Sequence, residues 1–91
     1  MLDEKIVLVT GASRGIGKAI ALTLGSSGAT VIGTATSKAG ADNISKMLVD
    51  NQILGKGIVL DVKNNDQIAS LGEGIKKDFG SIDILVNNAG I

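Results

Sequence analysis

The fold of this chain is decided by residues 6–17, which read Ile6-Val7-Leu8-Val9-Thr10-Gly11-Ala12-Ser13-Arg14-Gly15-Ile16-Gly17. The apolar run predicts a buried strand, and the glycine-rich segment after it predicts a tight turn that opens a helix. A helix N-terminus offers free backbone N–H groups and the positive end of the helix dipole to phosphate groups. The stretch is therefore typical of a site that holds the pyrophosphate of a dinucleotide.

The residues of this loop have separate expected roles. Gly11 permits a tight turn with a φ value that a Cβ would obstruct. Gly15 and Gly17 let a phosphate approach the backbone and let the helix pack near the strand, and Ser13 adds a hydroxyl donor. The cofactor-binding residues predicted in the loop are Gly11, Ala12, Ser13, Arg14, Gly15, Ile16 and Gly17. A purely structural glycine-rich turn is the alternative.

Composition excludes several other classes of protein. The 91 residues carry no formal net charge, so we expect no nucleic acid and no membrane surface to be held by bulk charge. The sequence has no Cys and no His, which excludes disulfides and argues against a metal site. The first residues lack the basic region and apolar core of a signal peptide, so we expect a cytoplasmic protein.

Short apolar runs alternate with helical patterns along the whole chain. Strands are predicted at residues 5–10, 30–34, 57–61 and 82–86. Helices are predicted at residues 15–27 and 41–49, and Asn64 or Asn65 caps a third. In the first helix, Ile16, Ile20 and Leu24 share one face at a spacing of four. The residues expected to face inwards are Ile44 and Leu48 of the second helix, and Ile68, Leu71, Ile75 and Phe79 of the third.

The order of these elements predicts an α/β fold with a doubly wound parallel sheet of the Rossmann type. Apolar strands separated by helices are typical of a sheet covered on both faces. Right-handed crossovers then give the strand order 3-2-1-4, with a ligand crevice between strands 1 and 4. We interpret residues 1–91 as the N-terminal part of a single dinucleotide-binding domain. An apolar strand 4 at the sheet edge leads us to expect more chain after Ile91.

The end of strand 2 indicates which dinucleotide is bound. An NAD-selective site needs an acidic residue there to bind the ribose hydroxyls. Residues 33–38 read Gly-Thr-Ala-Thr-Ser-Lys, without Asp or Glu. A 2′-phosphate would meet the hydroxyls of Thr36 and Ser37, and Arg14 can reach it with a charge-assisted bond. We therefore predict NADP(H), with Arg14 as a solvated loop cation as the alternative. Lys38 is interpreted as solvent-exposed in preference to a ligand.

Two motifs carry a resemblance to a known family. The spacing Gly-x-x-x-Gly-x-Gly after Thr10, with Asn87-Asn88-Ala89-Gly90 after strand 4, resembles the short-chain dehydrogenase/reductase family. The resemblance spans the whole chain and covers the cofactor half of such enzymes. It implies that Asp61 and Val62 contact the adenine, although Asp61 is also placed to cap a turn. It further implies that Asn88, Ala89 and Gly90 lie beside the adenosine ribose.

Within this family, residues 9–20, 31–37 and 82–91 are most similar to the bacterial reductases of fatty-acid elongation. That resemblance implies NADPH-dependent reduction of a 3-oxoacyl thioester on acyl carrier protein, in a homotetramer. The family's catalytic Tyr, Lys, Ser and second Asn lie beyond the region matched, so we assign no catalytic residue here. Two alternatives stay open. One is a family member that acts on a sugar, polyol or steroid, and the other is a nucleotide-binding module without catalysis.

Overall fold

Strands and helices alternate strictly in the computed structural model, which describes residues 2–13, 15–60 and 65–86. The strands are β1 (Ile6–Val9), β2 (Thr30–Ala35), β3 (Gly55–Val59) and β4 (Ile84–Val86). The helices are α1 (Gly15–Ser26), α2 (Lys38–Asp50) and α3 (Asn65–Asp78). All pairings are parallel, and the strand order is β3-β2-β1-β4. The predicted α/β fold and its strand order are confirmed.

Both faces of the sheet carry apolar side chains. Val7, Val9 and Val31 pack in one cluster with Ala21 of α1 and with Ile44 and Leu48 of α2. Ile6, Leu8 and Ile32 pack in a second cluster with Ile75 of α3. All four residues of β1 are buried because neighbouring side chains of a strand point to opposite faces and both faces are covered. None of the helices in the described ranges is long and apolar enough to cross a membrane.

Most of the predicted inward-facing residues are confirmed. Ile44, Leu48 and Ile75 are buried, and Leu71 and Phe79 are partly buried against the core. Of the three residues predicted to share one face of α1, Ile20 and Leu24 are partly buried against the core, whereas the Ile16 side chain is 71% exposed. The buried face of α1 runs through Gly17 and Ala21, and Ile16 lies about 100° away from Gly17 around the helix. The side chain of Ile68 lies outside the described residues.

Three elements have a boundary that differs from the prediction by two residues or more. Helix α2 begins at Lys38 because the Ser37 side chain caps it, accepting a hydrogen bond from the Gly40 N–H at 3.1 Å. Strand β4 begins at Ile84, since the Asp83 side chain accepts from the Ile6 N–H at 2.9 Å where a strand carbonyl would otherwise do so. Strand β3 lies two residues earlier than predicted, at Gly55–Val59.

The displacement of β3 is connected with the close approach of α2. A Cβ on Gly57 would meet the carbonyl oxygen of Ala41 and would lie 2.8 Å from the Ile44 Cβ. The Gly57 N–H also donates to the Ser45 hydroxyl at 2.8 Å. Gly57 is therefore an interior residue of the strand, where a helix packs directly on the backbone, and it is not the residue at which the strand begins.

Two glycine-to-alanine substitutions should change stability in opposite directions. Gly57→Ala should lower the free energy of unfolding by about 1–3 kcal/mol, because α2 must move away from β3. Gly72→Ala should raise it by about 1 kcal/mol, since Gly72 is a helical residue whose Cβ would meet nothing within 4 Å. Urea unfolding of both variants measures the difference. A Gly57→Ala protein as stable as the parent would contradict the packing described.

Candidate cofactor-binding site

The glycine loop, residues 10–17, lies at the carboxyl end of β1, between the ends of β2 and β4. The Thr10 N–H donates to the Val86 carbonyl at 3.0 Å, and the Thr10 hydroxyl donates to the same oxygen at 3.4 Å. On the other side, the Ala12 N–H donates to the Thr34 carbonyl at 2.9 Å. The loop is therefore attached to both neighbours of β1, at the edge of the sheet where the strand order predicts a ligand crevice.

The end of β2 supports the loop on both faces of the sheet. A Cβ on Gly33 would lie 2.9 Å from the Ala12 Cβ and 2.8 Å from the Ile44 Cγ2. Ala12 of the loop therefore packs closely on the backbone of Gly33, in space that a side chain at position 33 would need. The next residue, Thr34, is 1% exposed, and its hydroxyl oxygen accepts from the Gly11 N–H at 3.2 Å. Successive residues of a strand face opposite sides of the sheet, so the loop contacts the end of β2 from both sides.

The backbone of the loop has the conformation that its glycines predict. Gly11 has a φ of 66° and Gly15 a φ of 64°, both in the left-handed region that side chains disfavour. A Cβ at Gly15 would meet nothing within 4 Å, so the loop faces open space there. Gly15 and Ile16 are exposed, whereas Ala12 and Gly17 are buried. The loop thus presents its backbone outwards at the point where α1 begins.

Two helix N-termini meet at this edge of the sheet. The first turns of α1 and α2 contain no acidic residue. A Cβ on Gly40, in the first turn of α2, would lie 3.6 Å from the Ser13 Cβ, so the start of α2 lies beside the loop. The first N–H groups of a helix have no partner within the helix, and they carry its positive partial charge. The described residues therefore fit an anionic group such as a pyrophosphate.

The segment between β2 and α2 carries the residues predicted to select the dinucleotide. Thr36 is exposed. The Ser37 hydroxyl oxygen is the N-cap of α2, which leaves its proton to donate elsewhere. The Lys38 ammonium pairs with the Asp42 carboxylate at 3.0 Å, and both side chains are largely exposed. This pairing favours the interpretation of Lys38 as a solvated surface cation.

Six predicted site residues lie outside the described residues. They are Arg14, Asp61, Val62, Asn88, Ala89 and Gly90. The strands that precede them are described. The Leu60 N–H donates to the Ala35 carbonyl at 2.8 Å, and Val86 accepts from Thr10. Strands β3 and β4 therefore run to the same edge of the sheet as the glycine loop.

A groove between α1 and α2, here called the α1/α2 groove, is an alternative site among the described residues. Its volume is about 460 Å³. Among the described residues of the glycine loop, Ser13 is the one that lines this groove. Lys46 in the groove pairs with Asp50 at 3.2 Å. Its lining is Ser13, Lys18, Leu22, Asn43, Ile44, Lys46, Met47, Asp50 and Asn51. We place the candidate site at the loop because the helix N-termini and the left-handed glycines lie there.

Sequence patterns assigned no role to Gly33 or Thr34. The available signal was a hydroxyl residue inside a run of apolar and small strand residues, because a buried hydroxyl needs a hydrogen-bond partner. Elsewhere, three aspartates lie in ion pairs at exposed positions of the helices. Asp42, Asp50 and Asp78 form ion pairs with side chains at least 47% exposed. In the part of the chain that the structure describes, no acidic cluster could hold a metal ion.

Comparison with known proteins gives matches that extend over nearly the whole chain. A family profile described as short chain dehydrogenase matches residues 5–91. The chain is 62% identical over 90 residues to the 3-oxoacyl-[acyl-carrier-protein] reductase FabG of Haemophilus influenzae, covering 99% of this chain and 36% of that protein. The chain is 60% identical over 89 residues to the protein of the same name from Escherichia coli, covering 98% of this chain and 35% of that protein. The chain thus spans about a third of the length of these relatives.

Proposed function

The chain belongs to the short-chain dehydrogenase family, and we propose that it binds NADP(H) for the reduction of 3-oxoacyl thioesters of acyl carrier protein to the (3R)-3-hydroxyacyl form. The observation that carries the proposal is the glycine loop, which opens a helix at the carboxyl edge of the sheet and has left-handed glycines at its start and end. The identity to reductases of that name supports the choice of substrate.

The loop would hold the pyrophosphate through its backbone. Gly15 supports this assignment, because the space that a Cβ would fill is open and the helix begins there. The first turn of α1 offers N–H donors to the phosphate oxygens. The proposed cofactor residues are Gly11, Ala12, Ser13, Arg14, Gly15, Ile16 and Gly17 in the loop, Thr36 after β2, Asp61 and Val62 after β3, and Asn88, Ala89 and Gly90 after β4.

The preference for a 2′-phosphate rests on the segment between β2 and α2. Residues 33–38 include no acidic side chain, and the nearest carboxylate of α2, Asp42, is paired with Lys38. A 2′-phosphate would therefore meet no repulsion from this segment, while Thr36 offers an exposed hydroxyl. Arg14 would add a charge-assisted hydrogen bond, which is about twice as strong as one between neutral groups.

The chain's share of the reaction is to bind and orient the cofactor. NADPH supplies the hydride in this class of reaction, so the position of the dinucleotide fixes the position of the nicotinamide. The sequence contains no Tyr, and we assign none of its residues to proton transfer. In the proposal, the proton comes from a Tyr assisted by a Lys in the remainder of a full-length reductase. Acyl carrier protein and the other copies of a tetramer would also bind there.

Removal of the Arg14 side chain should change the affinity for NADPH and leave the affinity for NADH nearly unchanged. Arg14→Ala should weaken NADPH binding by about ten- to a hundredfold, because one charge-assisted bond to the 2′-phosphate is lost, while NADH binding changes little. Lys18→Ala is the matched control, since Lys18 is an exposed cation in the next turn of α1. Fluorescence titration of the reduced nicotinamide measures both dissociation constants. Equal losses for both dinucleotides would contradict the role of Arg14.

The substrate class is tested with a full-length reductase that carries this chain. NADPH should be oxidised in the presence of a 3-oxoacyl thioester of acyl carrier protein, and the product should have the (3R) configuration. Loss of the nicotinamide absorbance measures the rate, and chiral chromatography identifies the product. Oxidation of NADPH with a keto-sugar, a polyol-derived ketone or a steroid ketone, and not with the thioester, would contradict the proposal.

A further inference from the structure

Thr34 makes an unusual pair of contacts with the glycine loop. Its carbonyl oxygen accepts from the Ala12 N–H at 2.9 Å, and its hydroxyl oxygen accepts from the Gly11 N–H at 3.2 Å. Two consecutive amides of the loop are thus bound to the main chain and the side chain of one residue. Thr34 is 1% exposed and Gly11 is partly buried, so the acceptor atoms of both hydrogen bonds belong to a buried residue.

The hydroxyl is not explained by packing. Its neighbours in the strand, after Thr30 at the start, are Val31, Ile32, Gly33 and Ala35, all of them apolar or small. Burial of a hydroxyl opposes folding unless a hydrogen bond compensates for the lost water. A valine would occupy nearly the same volume without that cost. The bond to the Gly11 N–H is therefore the contact that accounts for a threonine at this position.

The hydrogen bond acts on a glycine, whose backbone is intrinsically freer than that of any other residue. Gly11 has a φ of 66°, and its freedom as a glycine would let it adopt many other conformations. The hydroxyl and the carbonyl of Thr34 turn the amides of Gly11 and Ala12 towards β2. The backbone that faces open space begins later, at Gly15. The direction in which the loop presents its outer amides thus depends on how its first two are held.

We propose that Thr34 is a positioning residue, whose hydroxyl holds the glycine loop in the conformation that accepts the pyrophosphate of a dinucleotide. The inference rests on the proposed function for the identity of the ligand. Thr34 acts through Gly11 and does not touch the 2′-phosphate. Removal of the Thr34 hydroxyl should therefore weaken the binding of NADPH and of NADH by the same factor, whereas removal of Arg14 should weaken the binding of NADPH alone.

Three substitutions in this chain test the role of the hydroxyl. Thr34→Val removes the acceptor and keeps the volume, whereas Thr34→Ser keeps the acceptor and removes a methyl group. Thr30→Val makes the same chemical change at the opposite end of β2, away from the loop. Should Thr34→Val not fold, Thr34→Ala carries the same expectation, because it also lacks the hydroxyl and adds no methyl group.

Two measurements are made on each variant. Calorimetric titration gives the dissociation constants of NADPH and NADH, and nuclear magnetic resonance gives the position and exchange rate of the Gly11 amide without ligand. For Thr34→Val, both dissociation constants and the exchange rate should rise by about three- to tenfold, the equivalent of one hydrogen bond. Thr34→Ser and Thr30→Val should stay close to the parent in all three quantities.

The outcomes that overturn the inference are distinct from failure of the proposed function. Unchanged Gly11 exchange in Thr34→Val, or an equal loss of affinity in Thr34→Ser, would show that the hydroxyl does not position the loop. If Thr34→Val lost affinity for NADPH and not for NADH, the hydroxyl would act at the 2′-phosphate, and this too would overturn the inference. If the parent chain binds neither dinucleotide, the proposed function fails. The Gly11 amide alone then decides whether Thr34 holds the loop.

Discussion

The hydrogen bonds between the start of the glycine loop and the end of β2 are the contacts on which the candidate site depends. They join residues that are far apart in sequence, and they form because β1 and β2 are paired in a register that sets Val9 beside Gly33. The loop therefore begins beside Thr34, the residue that follows Gly33 in β2. On the other side, the Thr10 amide is bound to Val86 of β4. A strand order with β1 between β2 and β4 thus holds the loop from two sides and directs it into the opening between them.

Close packing of α2 brings a second positive helix end to the same edge. Gly57 and Gly33 let α2 lie directly on the sheet, since a Cβ on either would meet Ile44. The N-terminus of α2 consequently lies beside Ser13 of the loop. The first turns of α1 and α2 contain no acidic residue, so no carboxylate there neutralises the positive partial charge of either terminus. Glycines inside the sheet thus contribute to the electrostatics of the loop through the helix that they admit.

The features predicted correctly from the sequence are those that depend on patterns of neighbouring residues. Apolar runs predicted the strands, their alternation with helices predicted the order 3-2-1-4, and Gly11 has the positive φ expected of it. The misses depend on contacts between distant segments. Gly57 resembles the first residue of a strand until α2 is packed on it, and the role of Thr34 depends on its place beside Gly11 across the strand pair. The cofactor-binding roles of the loop residues, of Thr36, of Asp61 and Val62, and of residues 88–90 all remain predictions.

The central claim is that the glycine loop, and not the α1/α2 groove, receives the dinucleotide. Titration of the isotope-labelled chain with NADPH, measured through backbone amide resonances, tests it most directly. The account predicts that the largest shifts occur at Ser13, Gly15, Ile16, Gly17 and Thr36, with the amides of Asn43, Met47 and Asn51 nearly unmoved. Shifts concentrated in those three groove residues, or no saturable shift at the loop, would contradict it.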